Sequence, residues 1–121
     1  MKIFVDVDGT ICTRRMDLDY ENSKPLKDRI MKINKLYDEG HEIVYWTARG
    51  SATGIDWYDF TKNQLLKWGV KYHKFITGKP EYDIFIDDKN INALVLDDTH
   101  PLQKTMNYLN LNKKRVLGRK K

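Results

Sequence analysis

The amino-terminal segment organises the rest of the chain. An apolar run at residues 3–5, typical of a buried parallel strand, leads directly into residues 6–10, where Asp6 and Asp8 precede Gly9. The two aspartates share one strand face if the extended geometry continues through both. Ionised carboxylates about 4 Å apart repel by roughly 4 kcal/mol at an effective dielectric of about 20. The segment therefore predicts a site that holds a cation or a shared proton.

Apolar patterns over the next eighty residues alternate between helix and strand. Apolar residues recur at helical spacing over 26–37 and again over 56–68. Extended segments are predicted over 42–46, 71–77 and 82–86. Strands that alternate with helices are joined by crossover connections, which make a parallel sheet. We predict an α/β protein with a three-layer, Rossmann-like fold around a central parallel sheet.

Polar side chains follow the predicted strands where each strand ends. Asp6, Thr47 and Asp87 stand directly after three of them, and Lys79 is displayed from a turn that Pro80 makes rigid. The carboxyl ends of parallel strands meet at one edge, where open α/β sheets bind ligands. We therefore expect these four side chains to lie together at that edge.

Two loops are candidates for substrate contacts. Residues 11–24 have no sustained periodicity and follow the aspartates directly, so this loop can fold over them as a lid and bring Arg14, Arg15 and Tyr20 to a substrate. A solvated surface loop is the alternative interpretation. In the loop at 47–54, Gly50 allows an anion to approach the backbone, and Arg49 can bind that anion through its planar fork.

The length and charge of the chain limit its organisation. A chain of 121 residues is long enough for one core, so we predict a single domain over 1–112 with no separate cap domain. Residues 113–121 carry six basic residues and no acid, which predicts a flexible basic tail. The remainder has 16 basic and 17 acidic residues, so the net charge of +5 by itself does not indicate a nucleic-acid partner.

Targeting signals are absent from the sequence pattern. No apolar stretch approaches the roughly 20 residues of a membrane span, and the first residues turn acidic too early for a signal peptide. We expect a cytoplasmic protein with no membrane partner.

Cys12, the single cysteine, excludes an internal disulfide and is expected to fill space beside the loop. A later acidic pair at 97–98 precedes Pro101 and is expected to cap a helix.

Four motifs in order resemble those of the haloacid dehalogenase-like phosphatases. They are the aspartate segment at 6–10, Thr47, Lys79, and the pair Asp87-Asp88. The stretches at 45–50 and 78–84 look like the small, capless members linked to capsular polysaccharide biosynthesis. A more distant likeness is to the phosphatase domain of phage polynucleotide kinases. The chain departs from both patterns after Lys89.

The resemblance implies a role for each motif residue. Asp6 would be the nucleophile that forms an aspartyl-phosphate, and Asp8 would be the general acid and base. Thr47 and Lys79 would hold the phosphoryl oxygens. Magnesium would be held by Asp6, by Asp87 or Asp88, and by one backbone carbonyl, that of Val7 or, as the likeness favours, Asp8. The predicted metal-site residues are Asp6, Asp8, Asp87 and Asp88, of which Asp87 or Asp88 would contact the ion.

Three functions are compatible with the sequence. The leading hypothesis is a magnesium-dependent phosphatase of a small phosphorylated metabolite such as a sugar phosphate. The second is a 3′-phosphatase of nucleic-acid ends, indicated by the basic tail and by Arg14, Arg15 and Arg49. The third is a non-catalytic module that binds magnesium or a protein partner. Trp57 or Tyr58 could form a dimer face, so oligomerisation stays open.

Overall fold

The structure is a computed structural model that describes residues 1–14 and 19–97. Three strands alternate with two helices along this part of the chain. In order, they are β1 (Lys2–Val5), α1 (Lys27–Asp38), β2 (Glu42–Trp46), α2 (Tyr58–Lys67) and β3 (Lys74–Ile76). Short 3-10 turns occupy Tyr20–Asn22 and Ala93–Leu96.

The strands form one parallel sheet in the order β1-β2-β3. Ile3 is in register with Ile43, and Tyr45 is in register with Phe75. Both connections contain a helix, as parallel pairing requires. The predictions of an α/β chain and a parallel sheet are confirmed at this level. All three described strands have their carboxyl ends at the same edge, which is where the candidate site lies.

The core forms where the central strand meets the first helix. Ile43, Val44 and Tyr45 of β2 are buried. Helix α1 buries Ile30, Ile33 and Leu36, which recur every three residues and so share one face. Gly40, at φ +96°, ends this helix, and the amide of His41 donates to the carbonyl of Leu36. The apolar periodicity thus predicted α1 correctly.

The predicted strand over 82–86 is wrong, because the structure has no strand there. Ile84 and Ile86 are 79% and 94% exposed, unlike the residues of a buried strand. At the carboxyl end of this segment, Asp87 Oδ1 accepts a hydrogen bond from the amide of Lys89, and the side chain of Asn90 donates to the carbonyl of Asp87. Local side-chain bonds of this kind compete with a strand ladder. In addition, a short apolar run does not by itself distinguish a strand from other structure.

The chain divides into two compact units, Met1–Asp83 and Ile84–Lys121. The first contains all three strands and both helices. In the second, the structure describes residues 84–97, so the predicted cap at Asp98, a helix beyond it and the tail at 113–121 lie outside the described residues. The single domain over 1–112 stays a prediction. None of the helices in the described ranges combines the length and apolar character needed to cross a membrane.

Candidate active site

Asp6 and Lys79 meet at the carboxyl edge of the sheet. Asp6 follows β1, and Lys79 follows β3 by three residues, so the two residues flank the end of the central strand. Lys79 Nζ lies 3.3 Å from Asp6 Oδ1. The hydroxyl of Thr10 donates to the other carboxylate oxygen of Asp6 at 3.3 Å. Residues that are 73 positions apart therefore meet at this edge, as the strand pattern predicted for Asp6 and Lys79, and the place of Asp87 in the same cluster stays a prediction.

The surroundings of Lys79 favour its charged form. Burial by itself would lower the pKa of the ammonium group, but a hydrogen bond with Tyr82 and the charge of Asp6 outweigh that effect, and the pKa is raised. The ring centroids of Trp46 and Tyr82 lie 5.8 and 5.3 Å from Nζ. Lys79 therefore supplies a permanent positive charge next to the Asp6 carboxylate at neutral pH.

Thr47 directly follows β2 and accepts hydrogen bonds from the two loops that carry Arg49 and Lys79. Its carbonyl accepts the amide of Lys79 at 3.1 Å, and its hydroxyl accepts the amide of Arg49 at 3.1 Å. The residue is 1% exposed. These contacts fix the positions of Arg49 and Lys79 relative to the sheet. The predicted contact of the Thr47 hydroxyl with a phosphoryl group stays a prediction.

Arg49 and Asp8 form a bidentate ion pair. Nε donates to Asp8 Oδ2 at 2.9 Å, and an η-nitrogen of the same guanidinium group donates to Asp8 Oδ1 at 2.8 Å. The Arg49 side chain is fully buried, whereas 19% of the Asp8 side chain is exposed. This differs from our prediction that Arg49 binds the substrate, because the protein itself occupies its donors. The pair is compatible with the prediction that Asp8 offers a metal its backbone carbonyl, since both carboxylate oxygens face Arg49.

Three residues complete the surroundings of Arg49, and two of them, Thr61 and Gln64, were missed as site residues. Its second η-nitrogen donates to Thr61 Oγ1 at 3.0 Å and to Gln64 Oε1 at 2.6 Å. The ring of Tyr20 covers the guanidinium group with its centroid 4.4 Å from Cζ. The sequence contained one indication of Thr61 and Gln64, because these two polar residues lie among the buried positions of α2 beside Leu65. Tyr20 was predicted as a candidate for substrate contact, and its ring lies on Arg49.

Gly50 has a conformational role in the loop after β2. It adopts φ +86°, a left-handed conformation that other residues rarely adopt, and its carbonyl accepts the amide of Gly54. A Cβ atom at this position would lie 2.1 Å from the carbonyl oxygen of Ile55. The requirement for glycine is therefore steric, and anion binding at Gly50 stays a prediction. Arg14 is exposed and passes close to Gly9, and its contact with substrate also stays a prediction.

Cys12 lies behind the carboxylate of Asp8. Its side chain is fully buried, and Sγ lies 3.5 Å from Asp8 Oδ1. Burial, together with the negative charge of Asp8, raises the pKa of the thiol to about 12. The thiol is therefore protonated and inert at neutral pH, in agreement with the space-filling role expected for it.

The donor set at this edge suits a hard cation only in part. Within residues 1–14 and 19–97, no three His, Cys, Asp or Glu side chains cluster as metal ligands. Asp6 offers a partly exposed carboxylate. The carbonyl of Val7 already accepts the amides of Thr10 and Ile11, which makes the carbonyl of Asp8 the better second donor. Magnesium keeps several waters and needs one or two carboxylates, so these two oxygens fit it as an incomplete set.

The remaining predicted ligands belong to the second unit. Asp87 follows the exposed run at 84–86 and caps a local turn through its contact with Lys89. Asp88 is the next residue in this turn. Their role as metal ligands stays a prediction.

The fold and the site define an α/β protein whose sheet carries a polar cluster at its carboxyl edge. The chain is similar to a crystal structure from Vibrio cholerae, which is described only as an MCSG target. The two share 27% identity over 94% of this chain and 98% of that chain, with a TM-score of 0.77. No protein-family model and no curated protein matches the chain. The similarity supports the α/β fold and carries no activity with it.

Proposed function

We propose that the chain is a magnesium-dependent phosphomonoester hydrolase that works through an aspartyl-phosphate on Asp6. The observation that carries this proposal is the 3.3 Å contact between Asp6 and Lys79 at the end of parallel strands. A phosphate monoester is anionic and must approach an anionic nucleophile, which costs several kcal/mol in a partly buried site without a neutralising charge. Lys79 supplies that charge next to the attacking atom.

Two carboxylates divide the reaction between them. A carboxylate oxygen of Asp6 attacks phosphorus while the bond from phosphorus to the leaving oxygen breaks. Asp8, after it has taken up a proton from solvent or from the water of the preceding turnover, gives that proton to the leaving oxygen, and the product departs as an alcohol. In the second step Asp8 takes a proton from water as the water attacks phosphorus, which releases phosphate and restores the Asp6 carboxylate. Lys79 and Thr47 orient the phosphoryl oxygens throughout.

The magnesium site of this proposal uses Asp6 and the carbonyl of Asp8. When bound there, the ion would neutralise charge on the phosphoryl group and help align it with Asp6. The carbonyl of Asp8, and not its carboxylate, is assigned to the ion because Arg49 occupies the carboxylate.

The substrate class and the finer fold belong to the same proposal. We assign the chain a three-layer, Rossmann-like fold in which only a loop covers the site, and we place its activity in the cytoplasm. A site without a cap domain is comparatively open and suits a small phosphorylated metabolite such as a sugar phosphate. A nucleic-acid end remains the alternative substrate, although the burial of Arg49 removes one of the arginines that indicated it.

A phosphate-release screen tests the proposal. The panel contains sugar phosphates, nucleotides and 3′-phosphorylated oligonucleotides, each with magnesium and with a chelator. Wild-type protein should release phosphate only with magnesium, and Asp6→Asn should lower kcat by about 10⁴-fold or more, as loss of a nucleophile does in other enzymes. Asp59→Asn, an exposed aspartate on α2, is the matched control and should retain full activity. Activity that survives in Asp6→Asn would remove Asp6 as the nucleophile.

A further inference from the structure

Every N–H group of the buried Arg49 side chain is directed at the protein. Asp8 receives two of the five, one from Nε and one from an η-nitrogen. The hydroxyl of Thr61 and the amide oxygen of Gln64 receive two more. The last points toward Cys12 Sγ, at 3.9 Å. A guanidinium group held in this way has neither rotational freedom nor a donor left for a substrate.

The Asp8 carboxylate is held in one plane by this contact. Two parallel N–H···O bonds fix both the distance and the orientation of a carboxylate, which a single lysine cannot do. Each Asp8 oxygen keeps further lone-pair capacity after it has accepted from Arg49. Because 19% of the Asp8 side chain is exposed whereas Arg49 is fully buried, the carboxylate presents its remaining surface to solvent and to any substrate.

The same guanidinium group also contacts the loop that follows the aspartates. The Tyr20 ring lies over the guanidinium plane, and the carbonyl of Tyr20 accepts a hydrogen bond from Gln64 Nε2 at 2.6 Å. Tyr20 packs edge-on against Trp57, with ring centroids 5.0 Å apart. Arg49 therefore lies between Asp8 on one side and the 3-10 turn at Tyr20–Asn22 on the other.

We propose that Arg49 is a positioning residue for Asp8, and that Tyr20 holds Arg49 in place. Under the proposed function, on which this inference rests, Asp8 must deliver a proton to the leaving oxygen and later take one from water. Both transfers require the carboxylate within hydrogen-bond reach of its target. The two hydrogen bonds from Arg49 fix the position of the Asp8 carboxylate, and the turn at Tyr20–Asn22 holds the Arg49 side chain in place.

Leaving-group dependence distinguishes positioning from a general structural role. An alkyl phosphate needs a proton on its departing oxygen, whereas p-nitrophenyl phosphate does not. Arg49→Met should lower kcat/KM, which reports the step in which the leaving oxygen departs, by about 100-fold for the alkyl substrate, the loss typical of a displacement near 1 Å, with much less effect on kcat/KM for the aryl substrate. Tyr20→Leu should give the same pattern more weakly. Lys62→Met, which removes a cation stacked on Tyr58, is the control and should change neither rate.

Rescue provides a second readout. Methylguanidinium added at millimolar concentration to Arg49→Ala should restore part of the alkyl-phosphatase activity, and an equal concentration of methylammonium should not. Equal losses of kcat/KM for the alkyl and aryl substrates in Arg49→Met, without rescue in Arg49→Ala, would overturn the positioning role.

A double-mutant cycle on unfolding requires no activity. Asp8→Asn, Arg49→Met and the double variant are unfolded in urea, and the ion pair predicts a coupling on the order of tenfold in the unfolding equilibrium constant. Absence of coupling would overturn the contact between the two residues, whatever the substrate. The cycle could show coupling while the wild-type protein releases phosphate from no substrate. That combination would establish the ion pair and contradict the proposed function. If Arg49→Met does not fold, Tyr20→Leu replaces it in the comparison of alkyl and aryl substrates. In the unfolding cycle, Tyr20→Leu is then combined with Asp8→Asn.

Discussion

At the scale of single residues, the site depends on which groups keep their charge and which lose it. Asp6 and Lys79 face each other as opposite charges, and Asp8 is paired with Arg49. Cys12 lies between the second pair and the core, where its thiol stays neutral. Charge is therefore concentrated in two pairs at the edge of the sheet, and the group directly behind them is not charged.

The raised pKa of Cys12 predicts slow chemical modification. At pH 9 an ordinary thiol with a pKa of 9.0 is half ionised, whereas a thiol with a pKa of about 12 is ionised roughly one part in a thousand. Native protein should therefore react with iodoacetamide at least about 100-fold more slowly than protein unfolded in urea at the same pH. The rates are measured by mass spectrometry. Similar rates in the native and unfolded states would contradict the burial of this side chain.

At the scale of elements, apolar periodicity predicted the sheet and the helices, and parallel pairing then predicted the Asp6–Lys79 contact. That contact follows from backbone direction alone, since strands that run together must end together. The Arg49–Asp8 pair did not follow, because it depends on where a long side chain turns within the core. The error at 82–86 has another cause, since an apolar run of five residues does not specify whether a neighbouring strand pairs with it.

The loop after β2 gives a prediction with a matched control. Gly50→Ala would place a Cβ atom 2.1 Å from a backbone oxygen in a residue at φ +86°, and neither atom can move without opening the turn. Gly54→Ala has a similar φ of +75° but no atom within 4 Å. Gly54→Ala should cost about 1 kcal/mol of unfolding free energy for backbone strain, and Gly50→Ala about 2 kcal/mol more. Urea titration measures both, and equal costs would contradict the close approach at Gly50.

At the scale of the whole molecule, buried acids of high pKa determine the response to alkaline pH. Burial raises the pKa of Cys12, Tyr20 and Tyr45 above their ordinary values. The unfolded chain loses these protons first, between about pH 9 and 10, while the folded chain keeps them. The folded state therefore binds more protons in this range, and the free energy of unfolding falls as pH rises above about 9.

Two substitutions test this pH dependence. Cys12→Ala and Tyr45→Phe each remove one such group, so each should make the fall in unfolding free energy between pH 9 and 11 less steep. Leu66→Ala, which shortens an exposed side chain with no titratable group, is the control and should leave the slope unchanged. Urea titrations at a series of pH values provide the slopes. Identical slopes for wild type, Cys12→Ala and Tyr45→Phe would show that these groups do not control the alkaline response.

The most direct measurement is the chemical state of Asp6 during turnover. Protein mixed with an aryl phosphate and magnesium is quenched in acid within the first turnovers, digested, and analysed by mass spectrometry. We expect a phosphoryl group on the peptide that contains residues 6–8. It should be absent in Asp6→Asn and present in Asp59→Asn. Phosphate release with no phosphoryl group on that peptide, or a group that persists in Asp6→Asn, would contradict Asp6 as the nucleophile.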